Sequence, residues 1–515
     1  MTVVDGVLGA VILTAAFLLA YRWIRVRSRT IAWAFAAVVL VRLAAGVLLT
    51  SLAWLDSPFL EHLRYPDGIW QFAPDARTYQ RGATTIVNEG IGALEPSMPA
   101  RTYVVLLALW MEVVGPALAG FTLNLLLFIG YAALAVRVLG PRPGALSELA
   151  ALVLVLVPGL APSAVLHSTQ PLKDELAAFL IAVSCFCAVR VFGSGGPSAR
   201  RAWLAVVLAA AIGVLAGVRS HMAAMIIAAL VCGGMVYVLQ HLRGRVIGAL
   251  AVASIAVGLS CATYLVGAQR QRLLLVNVAE TTAPRPGVVP SGTPGVSGSK
   301  QTRGRGGRAT TPGPRAVYQQ RQTGTTLRSV TTFPARAVAG IRKARQAFIR
   351  SGGRTNLARR GEPKTIANDV RALGVGLAAT FVPISLLNAS GFLSVGGGQG
   401  LLFLTNVDTL FLDLGVLVTA VMLVRHGRNV SGSAAVRVFT AVYAAFALFL
   451  LAYVVTNYGT LFRMRLMMVQ GVCLLLLVFA ANGRCWSERV GANLARRRPA
   501  DATAGSGCTP AADPR

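Results

Sequence analysis

Three charged residues stand together in PLKDELAAFL, residues 171 to 180, at the head of a strongly apolar run: Lys173, Asp174 and Glu175. Acids near the positive end of a helix, with Pro171 in the first turn and Ser168 and Thr169 before it, are ordinary helix-start chemistry. A lysine there opposes the dipole, so Lys173 is either a side chain snorkelling to an interface or a ligand for an anion such as phosphate. Three more clusters carry a double reading. In QFAPDARTYQRGATTIVNEG, residues 71 to 90, Asp75, Tyr79 and Ala83 fall one turn apart on a short amphipathic helix. Asp75 either opens that helix after Pro74, or serves as a general base toward a hydroxyl or as a ligand to a divalent cation. Arg219 and His221 lie between two closely spaced apolar runs, and Arg463 and Arg465 lie just before the last one. Each of these either snorkels or holds an anionic group.

The elements that must position these groups are apolar runs. The chain of 515 residues is 55% hydrophobic and 13% charged, with a mean hydropathy of +0.64, far from the balance of soluble domains. An all-α integral membrane protein is expected. Runs near 3–21, 31–54, 118–138, 149–166, 173–192, 202–218, 222–240, 246–267, 401–424, 434–456 and 466–482 predict about eleven transmembrane helices. The first run lacks a basic leader and a clear cleavage site, which reads as a retained span. Arg42 falls mid-way through the second run as drawn, where a charge is functional by default. A helix from about 43 to 60 would instead put it at the inner interface. The seven cysteines show no CxxC or Cys/His spacing, so neither a disulfide framework nor a zinc site is indicated.

Loop charges set the expected orientation. Arg22, Arg25, Arg27 and Arg29, then Arg137 and Arg142, Arg190, Arg200 and Arg201, Arg243 and Arg245, Arg425 and Arg428, and Arg484 and Arg489 follow alternate spans, and the positive-inside rule puts all six groups in the cytoplasm. The N-terminus is then outside and the C-terminus cytoplasmic. This parity requires residues 101 to 114 to lie at the outer interface and 372 to 398, with Pro383 and a glycine run, to be re-entrant or superficial. Every polar cluster named above then faces outward.

The expected organisation is an N-terminal extra span and basic loop (1–30), a transmembrane core (31–267) with an outer loop at 55–117, a basic insert (268–370), a re-entrant or interfacial element (371–400), a three-span bundle (401–482) and a basic disordered tail (483–515). Residues 268 to 370 hold 19 Lys and Arg against three acids. Because the net charge of +30 is concentrated there, anionic lipids are the expected partners of the insert and nucleic acid is not. Disorder is expected from about 280 to 330. Residues 335 to 349 read as an interfacial helix, with Val338, Ile341, Ala344 and Phe348 opposite Arg342, Lys343 and Arg345.

In order along residues 50 to 240, the chain resembles the polytopic GT-C class of glycosyltransferases, which includes the protein O-mannosyltransferases and the bacterial transferases that add aminoarabinose to lipid A. PDARTYQRGA is similar to their first-loop acidic motif. TYVVLLALWMEVVG, with Trp110 and Gly115, resembles the aromatic segment that follows it. FTLNLLLFIGYAALAVRVLG, with Asn124 and Arg137, resembles the next span, and LVLVPGLAPSAVLHSTQPLKDELAAFL the proline-ended span and acidic helix start. LFRMRLMMVQ matches the arginine pair before the last span. Ala76 stands where a second acid often follows, and Glu175 where a proline does.

The resemblance implies a GT-C-like fold with juxtamembrane helices on the outer face and transfer of a sugar from a polyprenyl-phosphate donor at the outer side of a bacterial plasma membrane. It makes Asp75 the base, Lys173, Arg219 and Arg463 the phosphate ligands, Asp174 an orienting group and Tyr79 a packing surface for the donor, with His221 and Arg465 beside them. No cofactor is assigned, and a divalent cation at Asp75 is left open. A flippase or transporter of an anionic lipid-linked substrate, and a non-catalytic membrane scaffold, are the competing expectations.

Overall fold

A computed structural model of the chain describes residues 3–54, 64, 65, 67–138, 145–193, 198–241, 341, 342, 345, 346, 366–390, 399–426, 434–455, 460–469 and 471. The expected span at 246–267, the stretch 280–330 and the tail 483–515 lie outside them. So do most of the helix expected at 335–349 and most of the span expected at 466–482. The described chain is helical, in the order α1 (Val3–Arg25), α2 (Arg29–Trp54), α3 (Pro74–Glu89), α4 (Arg101–Val114), α5 (Pro116–Val138), α6 (Ala145–Leu160), α7 (Pro162–Ser168), α8 (Asp174–Gly193) and α9 (Ser198–His241). After the basic insert come α10 (Ile366–Phe381), α11 (Ile384–Ala389), α12 (Gln399–His426) and α13 (Ala434–Phe449), which runs into a π-helical turn at Leu450–Val454. A last helix, α14, covers residues 460–469.

Seven of these helices are long and apolar enough to cross a membrane, or eight if the bent pair α6 and α7 is one span. The exposed side chains agree, because Leu19, Trp33, Leu40, Leu48, Trp203, Leu414 and Leu417 all project outward from these helices, and only an apolar solvent tolerates such a surface. The expected count of about eleven exceeds what the described residues contain. α9 accounts for part of the difference. At about 1.5 Å per residue a 44-residue helix would run roughly 66 Å, twice the hydrocarbon thickness. It does not run straight: Arg219 has non-helical angles (φ −149°, ψ 87°), and the Arg201 guanidinium donates to the Tyr237 hydroxyl at 3.2 Å. Residues 36 positions apart meet only if the chain folds back at Arg219, so α9 is a hairpin with two legs of bilayer length.

The two ends of the bundle differ in charge. Burial and then the neighbouring Arg137 pull the Arg27 pKa down, and Ser28 donates to Glu148, so the loops after α1 and α5 share one end. α5 and α8 run parallel, since Gly120 lies against Pro171 and Gly130 against Phe179. Arg137 and Arg190 are therefore at the same end too. At the opposite end α4 lies across the bundle. Its Thr102 meets Gly217, beside the α9 turn, and its Val114 meets Gly9 near the start of α1. Gly115, at φ +79°, turns the chain from α4 into α5.

Among the described residues two further breaks follow prolines, and at each a buried arginine donates to backbone carbonyls. α6 and α7 meet at 59° where a straight span over 149–166 was expected. Pro162 has no N–H to give to the Pro158 carbonyl four residues earlier. Arg42 replaces it, donating from Nη2 to Pro158 O at 2.7 Å, from Nε to Gly159 O at 3.1 Å and from Nη1 to Glu175 at 2.7 Å. Arg42 is 1% exposed and stacks over Phe128. The interface placement expected for it is thus corrected: it sits inside the bundle because backbone carbonyls there need a donor. The second break lies at Pro383, between α10 and α11. Arg465 donates to Thr380 O at 3.3 Å and to Thr405 O of α12 at 3.2 Å. α12 also caps both second halves: Asp408 accepts the Ser163 N–H at 2.9 Å, and Asn406 accepts the Ser385 N–H at 3.2 Å.

Of the helix expected at 335–349, the described part turns charge toward protein and not toward a headgroup layer. Arg345 is buried and donates to the Tyr453 carbonyl, and Arg342 pairs with Asp369 at 2.5 Å.

Candidate functional site

α3 starts at Pro74, which needs no hydrogen-bond acceptor for its nitrogen, and places Asp75 in the first turn. Ala76, Tyr79 and Ala83 form its buried face against α4. Asp75 stays about half exposed at the edge of that face, and its Oδ2 accepts a hydrogen bond from Arg463 Nη1 at 3.0 Å. Tyr79, one turn on, meets Tyr103 of α4 edge to face with ring centroids 5.5 Å apart. Burial, and then the carboxylates of Asp75 and Asp174, push its phenol well above the usual range.

Lys173 sits in the turn between α7 and α8. That turn is held from α5, where Asn124 donates through Nδ2 to Ser168 O at 3.2 Å and to Gln170 O at 2.7 Å. Gly120 leaves room for Pro171, since a Cβ there would come within 2.7 Å of the Pro171 nitrogen. Gln170 in turn accepts the Trp70 N–H at 3.4 Å, tying the turn to the segment that leads into α3. Lys173 Nζ lies 5.2 Å above the centre of the Tyr79 ring, a cation–π contact. Burial and then the nearby Arg219 lower its pKa to about 8.

The two acids after Lys173 have different partners. Asp174 is buried and accepts from Arg219, which the α9 turn delivers to the start of α8. Glu175 belongs to Arg42. Helix-start chemistry is therefore only the local part of why these acids are here; each also neutralises an arginine from a distant helix. His221 lies beside Arg219 and Lys173. Its Nε2, Asp174 Oδ2 and Arg219 Nε are buried without a hydrogen-bond partner, an unusual concentration of unsatisfied groups.

Asp75, Tyr79, Lys173, Asp174, Arg219, His221 and Arg463 thus come together, from α3, the α7–α8 turn, the α9 turn and α14. Arg465 does not join them, because it is fully buried against the α10 break and stacks 4.8 Å from the Phe462 ring centre. His167 joins them without having been singled out in the sequence. It packs 6.1 Å from Phe72, ring centre to ring centre, and lines a small cavity with Ser163, Asp174, Glu175, Arg463 and Met467. At about 40 Å³ that cavity has room for a few waters. Among the described residues no group of three or more His, Cys, Asp or Glu is placed to hold a metal ion.

Chemically, the cluster offers three cations to an anion and one half-exposed carboxylate to a proton, at the end of the bundle opposite the basic loops. No family model, no curated protein and no solved structure matches the chain.

Proposed function

We propose that the chain is a membrane glycosyltransferase that moves a sugar from a polyprenyl-phosphate carrier to an acceptor hydroxyl at the outer side of a bacterial plasma membrane. The observation that supports this most is the meeting of Asp75 with Lys173, Arg219 and Arg463 at one end of the bundle, away from the arginine-rich loops. The positive-inside rule makes that end the outer one. Outside the cell a sugar must arrive on a lipid, which calls for phosphate ligands at the membrane surface and a base within reach of water.

In this reading the acceptor oxygen attacks the anomeric carbon while Asp75 takes its proton. The bond from that carbon to the phosphate oxygen breaks, and the electron pair leaves with the lipid phosphate. Lys173, Arg219 and Arg463 stabilise the charge that builds there. Asp174 orients Arg219, and Tyr79 holds Lys173 from below. Purified protein in liposomes containing a polyprenyl-phosphate sugar tests the reading. Transfer to an added acceptor should be lost in Asp75→Asn, with insertion and thermal stability unchanged; retained transfer removes Asp75 from the mechanism.

A flippase of an anionic lipid is the second reading, favoured by the charges that continue inward as Arg42, Glu175, Asp408 and Arg465. Each of those is already bound to a helix break or to another charge, which fits a structural role better than a path. Translocation of a labelled lipid phosphate without any sugar transfer would favour it.

A further inference from the structure

Within the transferase reading, on which this inference rests, the structure shows the base engaged by one of its own phosphate ligands. Arg463 donates to Asp75 Oδ2 at 3.0 Å, which engages one of the two carboxylate oxygens that could receive the acceptor proton. The two side chains differ in setting: Arg463 is 17% exposed and Asp75 48%. The arginine therefore lies at the inner side of the pair, facing the cavity with Asp174 and His167, while the carboxylate lies at the open side.

The charges of the cluster bear on which anion. Lys173, Arg219 and Arg463 stand against Asp75 and Asp174, leaving one positive charge uncompensated at a pH where ordinary histidines are neutral. Arg219 Nε is buried without a partner, on a side chain only 10% exposed, so a donor is already waiting beside Lys173. A ligand with a single negative charge balances the cluster. A diphosphate overfills it, at a cost that a partly buried site makes large.

We propose that the site binds a singly charged lipid phosphodiester, and that its phosphate takes Arg463 from Asp75, freeing the carboxylate to act as base only when the donor is in place. Asp75 and the phosphate then compete for one guanidinium. In the empty site the guanidinium holds one carboxylate oxygen; in the loaded site both are free.

Competition has a sign that a structural salt bridge lacks. In nanodiscs of zwitterionic lipid, methyl farnesyl phosphate, which carries one charge, should bind the wild-type chain at least tenfold more tightly than the uncharged methyl farnesyl ether. Asp75→Asn, which removes the competing carboxylate, should tighten that binding by roughly two- to fivefold, the range of a partly exposed ion pair. Asp75→Ala should do the same, and Arg463→Gln should weaken it at least tenfold. Unchanged or weaker binding in both Asp75 variants overturns the exchange. Tenfold tighter binding of farnesyl diphosphate than of the diester overturns the charge assignment. No step of this assay involves sugar transfer, so the transferase reading fails separately: the exchange stands if binding behaves as stated while no donor is ever consumed.

Discussion

Replacing Arg42 by methionine removes the donor of three hydrogen bonds at 2.7, 2.7 and 3.1 Å from a position 1% exposed. Glu175, whose side chain is 16% exposed, is left as an unpaired charge, and the carbonyls of Pro158 and Gly159 lose their donor. Breaking a buried pair from one side costs about 3–5 kcal/mol, and each orphaned carbonyl about 1 kcal/mol. Arg42→Met should therefore destabilise by roughly 5–7 kcal/mol. Glu175→Gln alone leaves the guanidinium both carbonyls and should cost about half as much. The double variant has orphaned carbonyls but no unpaired charge, so it should be more stable than Arg42→Met alone by about 2 kcal/mol. Unfolding in mixed dodecyl maltoside and SDS micelles, followed by tryptophan fluorescence, reads these differences. Should Arg42→Met not accumulate in the membrane, Arg42→Lys serves instead, since the three donors of an ammonium share one nitrogen and do not span acceptors spread over Nε, Nη1 and Nη2 of the guanidinium. Single-variant effects that simply add, within about 0.5 kcal/mol, would show that the two residues are not a pair and would refute the account of the α6–α7 break.

Four other outcomes follow from the same geometry. Binding of methyl farnesyl phosphate should fall as pH rises through about 8, where Lys173 loses its proton, and Lys173→Arg should hold it to higher pH. Between that pH and the ordinary lysine range the unfolded chain binds the extra proton, so this group's share of stability rises with pH there, and a pH series of melting temperatures shows it. Asp408→Ala uncaps the Ser163 N–H and should cost about 1–3 kcal/mol in the micelle assay. Gly120→Ala forces a methyl within 2.7 Å of the Pro171 backbone and should weaken lipid-phosphate binding severalfold, whereas Gly213→Ala, with nothing within 4 Å, should not. Single cysteines at Arg81 and Arg27 should react with an impermeant maleimide from opposite sides, the first in intact cells and the second only after lysis.

Membrane chains make charges legible, because each charge kept in an apolar background has a reason. That is why Asp75, Lys173, Asp174, Arg219, His221 and Arg463 could be picked out from residue type and position, and why the structure finds them adjacent. Partner choice was hidden. The acceptors of Arg42 lie 116 to 133 positions away, and nothing local to residue 42 says that Pro162 will leave carbonyls open beside it. The prolines, Pro158 and Pro162, were visible; the bend was not, because prolines in an apolar run are compatible with a continuous span. Arg465 could have been separated from Arg463 in advance, since residues two apart on a helix point to nearly opposite sides. His167 had no signal beyond its type, and Asp408 none beyond being an acid in an apolar run.

The breaks and the site belong to one construction. A straight helix in lipid satisfies its own backbone and has nothing polar to offer, so polar groups deep in a bundle arise where helices are interrupted. Each interruption needs donors for its carbonyls and acceptors for its N–H groups. Arg42 and Arg465 supply the first, Asp408 and Asn406 the second, and the last two sit on one helix, α12. Arg42 is tied by an ion pair to Glu175, the residue next to Asp174, and Arg465 lies two residues along the chain from Arg463, so each break arginine is one step from a member of the cluster. The Asp75–Arg463 contact spans 388 positions, but α14 is fixed by Arg465 against α10 and α12 before Arg463 reaches out. Support of this kind anchors the backbone that carries Arg463, Arg219 and Lys173, which under the proposed transfer suits electrostatic stabilisation of a leaving phosphate.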